Sequence, residues 1–459
     1  MAGIGFELRR MLQKKSLVGR GQAYAFAAII GSGPWALSIV AILVIGLVNA
    51  RHEFPSDIVG QFQVSITCLM ASSLILTSPL QLLFTRFVAD RLFEQRSRVI
   101  LSNLFGALVV TLCIAGLAGM VALSLWFNES ALYRLCMLTG FVTLCAIWIV
   151  VIFASAIKAY QHILLVFLLG YGVTLGAALG LRSFGLEGLM IGFVVGQICL
   201  LFALLALVVR QYSGDVLVSF DFMRPGQVYP SLILIGLFYN VGIWADKFIF
   251  WAAPLTSVHF IGPLYASPLY DLPIFLSYLS LIPGMAIFLI RVETEFAEKC
   301  ERFYLTITRG GTLGQVTQAK QELVEAVRSG LLAMLKVQGA TTLVLLLLVD
   351  ELLVWFGISA LHRTLLSIDL VAVVFQLLLM AILNVLFYLD QRLAALRLCL
   401  LFCVSNTLFS ALSVYLGPAF YGYGFAFSVA LTVGAGLLVL LQKLDQLEYE
   451  TFMLQPVIF

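Results

Sequence analysis

The residues best able to do chemistry stand together in the motif YNVGIWADKFIFW at positions 239–251. One helical stripe of this motif, with successive spacings of four, three and four residues, consists of Asn240, Trp244, Lys247 and Trp251. Aromatic rings stack on the apolar faces of sugar rings, while amide and ammonium groups hydrogen-bond to hydroxyl and N-acetyl groups. The stripe is therefore a candidate contact surface for a sugar chain.

Asp246 is the acidic group of the same motif, and it shares a helical face with Tyr239 and Phe250. Neighbouring helical residues lie about 100° apart, so the sequence does not imply that Asp246 pairs with Lys247. Because ionisable groups inside a membrane are costly, both are functional candidates. Either Asp246 contacts another helix or titrates as a coupling site, or both charges are neutralised in a static network or reach out from a shallow depth.

A second group of candidates follows in SPLYDLPIF at positions 267–275. Tyr270 and Asp271 stand between two prolines at the start of an apolar segment, where they are candidates to line an exit vestibule. Seven of the twelve prolines lie between positions 225 and 283. Interrupted backbone at membrane depth is tolerated only where it is buried in protein or lines an aqueous cavity. We therefore predict that this region, including 253–271, forms the wall of a transport pathway.

The first apolar segment contains GSGPW at positions 31–35. A proline inside a helix removes a backbone hydrogen bond, and glycines allow close approach of a neighbour, so the motif predicts a kink or hinge. Disruption at corresponding places in two halves of a transporter points to a site at their interface, although a kink for packing alone explains the motif equally well. The candidate hinge residues are Gly31, Gly33, Pro34 and Trp35.

The composition indicates which kind of element positions these motifs. Of the 459 residues, 62% are apolar and only 11% are charged, against roughly 25% charged in soluble domains. Apolar runs of about twenty residues, the length that crosses a bilayer, recur along the whole chain. We predict an all-α membrane protein with about twelve spans in two six-helix bundles. The predicted spans are 23–49, 62–84, 101–127, 131–153, 163–180, 188–209, 231–252, 272–290, 331–349, 366–389, 397–416 and 422–442.

The distribution of basic residues predicts the orientation. With the N-terminus in the cytoplasm, only four of the 27 Lys and Arg residues fall in outer loops. These four are Arg51, Arg134, Arg182 and Arg363. An even number of spans with both termini in the cytoplasm follows.

The prediction divides the chain into a cytoplasmic amphipathic segment at 1–22, helix bundles at 23–210 and 231–442, and a cytoplasmic tail at 443–459. A polar cytoplasmic loop at 291–330 interrupts the second bundle.

Apolar faces in the N-terminal segment and in the polar loop predict short helices lying on the membrane or on a partner. A plain basic flank and a solvated linker helix are the respective alternatives. The basic loop 85–100 is a further cytoplasmic surface, unless its charge serves topology alone. The two faces consist of Ile4, Leu8, Met11 and Leu12, and of Val316, Leu323, Val327 and Leu331.

The pattern of reactive side chains argues against an enzyme. The eight cysteines and four histidines form no metal-ligand spacing and no arrangement typical of a hydrolase. The best carboxylate cluster, Glu293, Glu295 and Glu298, lacks histidine or aspartate neighbours and is typical of a charged helical turn. We predict no catalytic residue, no metal site, no cofactor and no nucleic-acid partner.

The sequence resembles the PelG family of inner-membrane Pel exopolysaccharide transporters, relatives of the multidrug, oligosaccharidyl-lipid and polysaccharide exporter superfamily. The resemblance rests on AGIGFELR at 2–9, SGPW at 32–35 and the YNVGIWADKFIFW motif. It implies a multi-pass protein of the bacterial inner membrane, with two six-helix bundles around a central path. The implied cargo is a polymer rich in N-acetylgalactosamine. The implied partners are a PelF-like cytosolic glycosyltransferase, a PelD-like membrane subunit that binds cyclic di-GMP, and a PelE-like subunit, with the two polar loops as docking surfaces.

Two other functions remain open at this stage. A flippase for a lipid-linked oligosaccharide would need several intramembrane Arg or Lys residues to hold the pyrophosphate, and only Lys247 is available. A non-conducting scaffold of a polysaccharide synthase complex would tolerate neutral changes at Asp246 and Lys247.

Overall fold

The structure is a computed structural model, and it describes residues 17–51, 56–157, 160–214, 216–224 and 229–453. The predicted apolar face at positions 4–12 lies outside these residues. By internal contacts the chain divides into two compact units. We call Gly33–Asp271 the 33–271 unit, and Leu272–Phe459 with the start of the chain up to Ser32 the 272–459 unit.

The described chain is almost wholly helical. The elements up to residue 266 are α1 (Leu17–Arg51), α2 (Ser56–Phe93), α3 (Arg98–Trp126), α4 (Ala131–Ser155), α5 (Tyr160–Gly180), α6 (Gly185–Gln211), α7 (Pro230–Ala252), β1 (Val258–Ile261) and β2 (Leu264–Ala266). They are followed by α8 (Pro268–Leu279), α9 (Ile282–Ile290), a π-helical turn (Arg291–Phe296), α10 (Ala297–Thr308), α11 (Leu313–Leu347), α12 (Val349–Trp355), α13 (Arg363–Tyr388), α14 (Arg392–Leu416), α15 (Tyr423–Asp445) and α16 (Leu447–Met453).

Most predicted spans coincide with helices. Within the described residues, ten helices are long and apolar enough to cross a membrane, and an eleventh span results if α8 and the bent helix after it count as one. In α1, the apolar stretch found among the described side chains is the shorter run Ala36–Gly46. A multi-pass membrane protein is therefore confirmed, while the total of twelve spans and the cytoplasmic position of both termini stay predictions.

A proline in α2 shows how the membrane-type helices satisfy their backbone. Pro79 has no N–H, so it cannot bond to the carbonyl of Ile75 one turn earlier. The hydroxyl of Ser78 donates to that oxygen instead, at 2.7 Å. A carbonyl left bare in an apolar environment would cost free energy, and the serine removes that cost.

The 33–271 unit includes α7, which the sequence prediction assigned to the second bundle at 231–442. Gly236 is the reason that α7 lies so close to α2: a Cβ at this position would collide with the carbonyl oxygen of Ser78. The contacts thus group α7 with α2, and they differ from the predicted bundle bounds, which stay a prediction.

The segment that links α6 to α7 is held against α2 and α3. The backbone N–H of Ser219 donates to the Ser102 carbonyl at 3.0 Å, and Asn103 Nδ2 donates to Asp221 Oδ2 at 3.0 Å. Phe222 is buried against Phe84, with ring centroids 4.8 Å apart. The link to α7 is therefore part of the packed unit.

Asp221 predicts how acid affects this link. The hydrogen bond from Asn103 is the main cause that holds the pKa of Asp221 below its usual 3.8. The hydrogen bond from Ser219 and the positive charge of Arg224 lower the pKa further. A carboxyl whose pKa is lower in the folded state stabilises that state above its unfolded pKa, and the contribution disappears as the pH falls through the folded pKa. We expect Asn103→Ala to cost about 1.5–3 kcal/mol of unfolding free energy at pH 7. The cost should shrink once the pH is well below 3.8.

Thermal unfolding in detergent at pH 7 and in the acid range tests this expectation. Ser124→Ala is the matched control on α3, because its exposed hydroxyl donates to the Val121 carbonyl of the same helix. An equal loss of stability for Asn103→Ala at both pH values would contradict the assignment.

In the 272–459 unit the predicted single span 272–290 is broken. Helix α8 ends at Leu279, and the axis of the helix that begins at Ile282 is bent by 41° from that of α8. Pro283 explains the break, since it has no N–H for the Leu279 carbonyl and its ring crowds that oxygen. Gln338 of α11 donates to the Ser280 carbonyl at the break, at 3.1 Å.

The predicted polar loop 291–330 is a helical hairpin. The π-helical turn and α10 continue α9, and α11 begins at Leu313 behind a capping box in which Thr312 and Gln315 exchange hydrogen bonds. Glu322 of α11 accepts hydrogen bonds from Lys299 and Arg302 of α10, at 2.7 and 2.9 Å. The hairpin is thus tied together by charge.

The apolar face predicted on this segment packs within the chain. Val316, Leu323 and Val327 are buried and Leu331 is partly buried, on the helix that packs against α10. This face is therefore filled by the chain itself, and neither a membrane nor a partner is needed to cover it.

Candidate functional site

Helix α7 carries most of the candidate residues. Pro230 occupies its first turn, where the missing N–H has no partner to lose, and the helix continues to Ala252. Asn240 and Trp244 are buried, whereas Trp251 and Tyr239 are partly buried. The Asn240 side chain donates to the Gly236 carbonyl at 3.0 Å, which holds the amide against its own helix.

Asp246 and Lys247 form an ion pair, which settles a point that the sequence left open. Lys247 Nζ lies 3.0 Å from Asp246 Oδ2 and 3.2 Å from Oδ1, and it donates to the Ile243 carbonyl at 2.9 Å. The long lysine side chain curls back along the helix, so the 100° between the two residues does not separate their charges. Both side chains are almost completely buried, at 0% and 1% exposure.

Tyr270 joins this pair from α8. Its hydroxyl donates to Asp246 Oδ2 at 2.7 Å, and its ring stacks on Phe250 with centroids 3.8 Å apart. The antiparallel β1–β2 hairpin, in which Val258 faces Ala266, returns the chain from the end of α7 to this position. The proline-rich stretch 253–271 thus contains a hairpin that places Tyr270 and Asp271, in the first turn of α8, beside α7.

Asp271 holds Trp251 by a second carboxylate contact. The Trp251 indole N–H lies 2.9 and 2.8 Å from the two Asp271 oxygens, and the Ser267 N–H donates to Oδ2 at 3.0 Å. Six of the eight candidates therefore lie close together toward the end of α7. Trp251 contacts Asp271, Lys247 contacts Asp246, which also accepts from Tyr270, and Trp244 lies next to Trp251.

Three aromatic rings form a continuous surface on α7. The centroids of Trp244 and Trp251 are 6.3 Å apart, and Phe248 lies 6.3 Å from Trp244 and 5.3 Å from Trp251. Phe248 is 38% exposed and Trp251 is partly buried, so these two rings are the accessible part of the surface, whereas Trp244 is buried. We call these three residues the aromatic surface. The spacing of the motif predicted Lys247 on this stripe and did not predict Phe248. Phe248 lies four residues after Trp244, which was a usable signal.

The predicted hinge is described only in part. Helix α1 runs through positions 31–35, and the side chains of Pro34 and Trp35 lie outside the described part of the chain. Gly31 lies against Leu289 and Met285 of α9, where a Cβ would collide with Leu289. The division between the two units falls between Ser32 and Gly33. The hinge itself stays a prediction.

Asp369 is a buried carboxylate that was not among the predicted site residues. Asp369 lies in α13 at 0% exposure, and Oδ1 is 3.5 Å from the position that a Cβ of Gly422 would take. A lone aspartate in the apolar run LLSIDLVAVVF was the available signal.

Comparison with solved structures identifies the fold. An outward-facing multidrug resistance MATE family transporter of the MOP superfamily matches with a TM-score of 0.66 and 13% identity, covering 93% of this chain and 96% of that chain. An inward-facing MATE family transporter of the same superfamily gives 0.59 at 12% identity, with 92% and 99% covered. A MOP superfamily transporter from Pyrococcus furiosus gives 0.59 at 14% identity, with 92% and 95% covered. The fold is that of a MOP superfamily membrane transporter.

The family follows from the sequence itself. Residues 1–452 match the PelG family, described as "Putative exopolysaccharide Exporter (EPS-E)". A search of curated proteins gave no match. The chain belongs to the PelG family of exopolysaccharide exporters, and its family and fold are those of transporters rather than enzymes.

Proposed function

We propose that this protein moves the Pel exopolysaccharide, a polymer rich in N-acetylgalactosamine, from the cytoplasm to the periplasm across the bacterial inner membrane. The observation that carries the proposal is the aromatic surface on α7. Phe248 and the partly buried Trp251 offer apolar faces for stacking against sugar rings, and the buried Trp244 packs against both of them. Asn240 lies at the far end of the same stripe. From Asn240 to Trp251 the helix rises about 16 Å, which exceeds the length of a single sugar.

The cluster behind the aromatic surface supports this role. Asp271 fixes the orientation of the Trp251 indole by accepting its N–H, and the Asp246–Lys247 pair lies buried on the neighbouring face. In this proposal the carboxylates position the surface, and the polymer contacts the rings. In this proposal each ring contacts the apolar face of a sugar only weakly, and the contacts repeat along the polymer, so the polymer can slide past them.

The proposal also assigns separate roles to partner proteins. A PelF-like cytosolic glycosyltransferase supplies the growing polymer, and PelD-like and PelE-like membrane subunits, the former binding cyclic di-GMP, assemble with the transporter. Family membership and the transporter fold support polysaccharide export.

Phe248→Ala tests the aromatic surface. Loss of one stacking ring, worth on the order of 1 kcal/mol, is expected to lower polymer secretion several-fold while the protein level in the membrane is unchanged. Phe248 is exposed, so the change leaves the core intact. Secreted and cytosolic polymer are measured separately, because failed export should leave synthesis running.

The matched control is Phe202→Ala, which removes an exposed phenylalanine of α6 that is 64% exposed. Unchanged secretion from both Phe248→Ala and Trp251→Ala would exclude the aromatic surface as a polymer contact. Normal secretion from a strain that lacks the whole chain would exclude the export function.

A further inference from the structure

Asp271 is a carboxylate whose hydrogen bonds come from neutral donors. The indole N–H of Trp251 and the backbone N–H of Ser267 supply them, and among the described residues no basic side chain forms an ion pair with Asp271. Asp246, by contrast, has the Lys247 ammonium group at 3.0 Å. Asp271 is only partly buried and so stays within reach of water, whereas Asp246 is completely buried.

The charges at this end of α7 do not balance. Asp246 and Lys247 are both close enough to Asp271 for their charges to act on it. With both carboxylates ionised, these three residues carry one negative charge in excess. An uncompensated charge is costly inside a membrane protein, and a single proton would remove it. Asp271, the carboxylate without an ammonium partner, is where that proton can bind.

The other titratable side chains nearby are engaged elsewhere. Tyr270, in the same helical turn, donates to Asp246. On the β1–β2 hairpin, His259 donates to the Gly262 carbonyl at 2.8 Å, and its ring faces Tyr265. Among the described residues, the charged groups that act on Asp271 are therefore Asp246 and Lys247 of α7.

A proton on Asp271 changes the bond that orients Trp251. A hydrogen bond to a carboxylate is roughly twice as strong as one to a neutral acceptor. The indole nitrogen lies 2.9 and 2.8 Å from the two carboxylate oxygens, and a proton would turn one of these acceptors into a donor. Protonated Asp271 therefore holds the indole less firmly, and Trp251 is one of the two accessible rings of the aromatic surface.

We propose that Asp271 binds a proton at the outer end of α7, and that its ionised form holds Trp251 in the orientation that contacts the polymer. The carboxylate takes this proton from water and returns it to water. Coupled binding is reciprocal: if a proton loosens the contact with the polymer, the polymer expels the proton. Acidity on the outer side thus favours release of the polymer. The proposal rests on the proposed function for the polymer and for the outward direction of this end of α7.

Fluorine NMR of the full-length protein in detergent tests the proton site without any polymer. Fluorinated tryptophan is incorporated, and the Trp251 resonance is the one that Trp251→Phe removes. We expect this resonance to titrate as a single proton binds. In Asp271→Asn it should stay near its acid-limit position at every pH, and Asp271→Glu should restore a titration. Trp148 is the matched control, because its indole donates to the neutral Ser73 hydroxyl at 3.1 Å, so its resonance should not titrate.

Three outcomes would overturn the proton site. The first is a Trp251 resonance that does not titrate in the wild-type protein. The second is a titration that persists in Asp271→Asn. The third is a titration that disappears in the double variant Asp246→Ala with Lys247→Leu, because the proton would then belong to Asp246.

Calorimetric titration with an oligosaccharide of N-acetylgalactosamine tests the link to the polymer. The wild-type protein should bind it several-fold more weakly when Asp271 is protonated, and binding should release protons to the buffer. Asp271→Asn should show the weaker affinity at every pH and release no protons. A wild-type affinity that does not change with pH would overturn the link.

The two proposals fail separately. A titrating Trp251 resonance, together with normal secretion from Phe248→Ala and Trp251→Ala, would leave the proton site standing and exclude the polymer contact. Reduced secretion from Phe248→Ala, together with a Trp251 resonance that does not titrate, would leave the export function standing and exclude the proton site.

Discussion

Asp246→Ala is expected to destabilise the folded protein by about 3–5 kcal/mol, because it removes the carboxylate from a buried ammonium group. Lys247 is 1% exposed and its Nζ lies 3.0 Å from Asp246 Oδ2. An uncompensated charge in that position costs far more than the pair itself contributes. The variant should therefore show a sharply reduced level in the membrane and a lower melting temperature in detergent.

The double variant Asp246→Ala with Lys247→Leu is the matched control. Replacing a whole buried ion pair by apolar side chains is often neutral or stabilising, so the double variant should recover most of the lost stability. Tyr270→Phe should cost less than the single change, since it removes one hydrogen bond to Asp246 and keeps the stacking on Phe250. Wild-type stability of Asp246→Ala would contradict the ion pair.

The same double variant separates structure from transport. If it folds at normal levels but secretes no polymer, the charges act in transport. If it folds and secretes normally, the pair is a static feature of the 33–271 unit, and the aromatic surface acts without it.

Gly236→Ala is the second large effect we expect. A Cβ there would overlap the carbonyl oxygen of Ser78, which is backbone and cannot swing aside. The change should force α7 away from α2, at a cost of about 1–3 kcal/mol or more. Since α7 carries the aromatic surface and the ion pair, secretion should fall together with the melting temperature.

Gly116→Ala on α3 is the control, and we expect it to raise the stability of the protein rather than lower it. Among the residues that the structure describes, none outside α3 itself and the adjacent backbone lies within 4 Å of the position that its Cβ would take. Alanine there should stabilise the helix by about 0.5–1 kcal/mol, because it removes the conformational freedom of glycine in the unfolded chain. Equal melting temperatures for the two variants would show that α2 and α7 are not in close contact.

The helices were predictable because the thickness of the hydrocarbon core sets the length of each apolar segment that crosses it. Span bounds such as 131–153 and 231–252 agree with α4 and α7 within about two residues. Hydropathy could not reveal that α2 and α11 continue far beyond their apolar parts, since their ends are polar helix. It also could not reveal the hairpin in 291–330, where an apolar face is filled by a neighbouring helix of the same chain.

The residues of the α7 cluster could be selected from the sequence, but their contacts could not, and their role in transport stays a prediction. The types and spacing of Trp244, Lys247 and Trp251 singled out α7 correctly as the helix that carries the cluster. Which carboxylate meets which donor depends on side-chain torsions and on the β1–β2 hairpin. No periodicity encodes these, so the bond from Trp251 to Asp271 could be found only in three dimensions.

The pairing of Asp246 with its own neighbour bears on how the protein is made. A single aspartate or lysine in a membrane helix opposes insertion from the translocon into lipid, by up to about 2.5–3.5 kcal/mol when it lies at the helix centre and by less toward the helix end, where this pair lies. Because the two charges are adjacent on α7, they can neutralise each other as soon as that helix forms. The ribosome need not have synthesised α8 first. The pairing therefore lets α7 enter the bilayer without α8, and the hydrogen bond from Tyr270 to Asp246 can form afterwards.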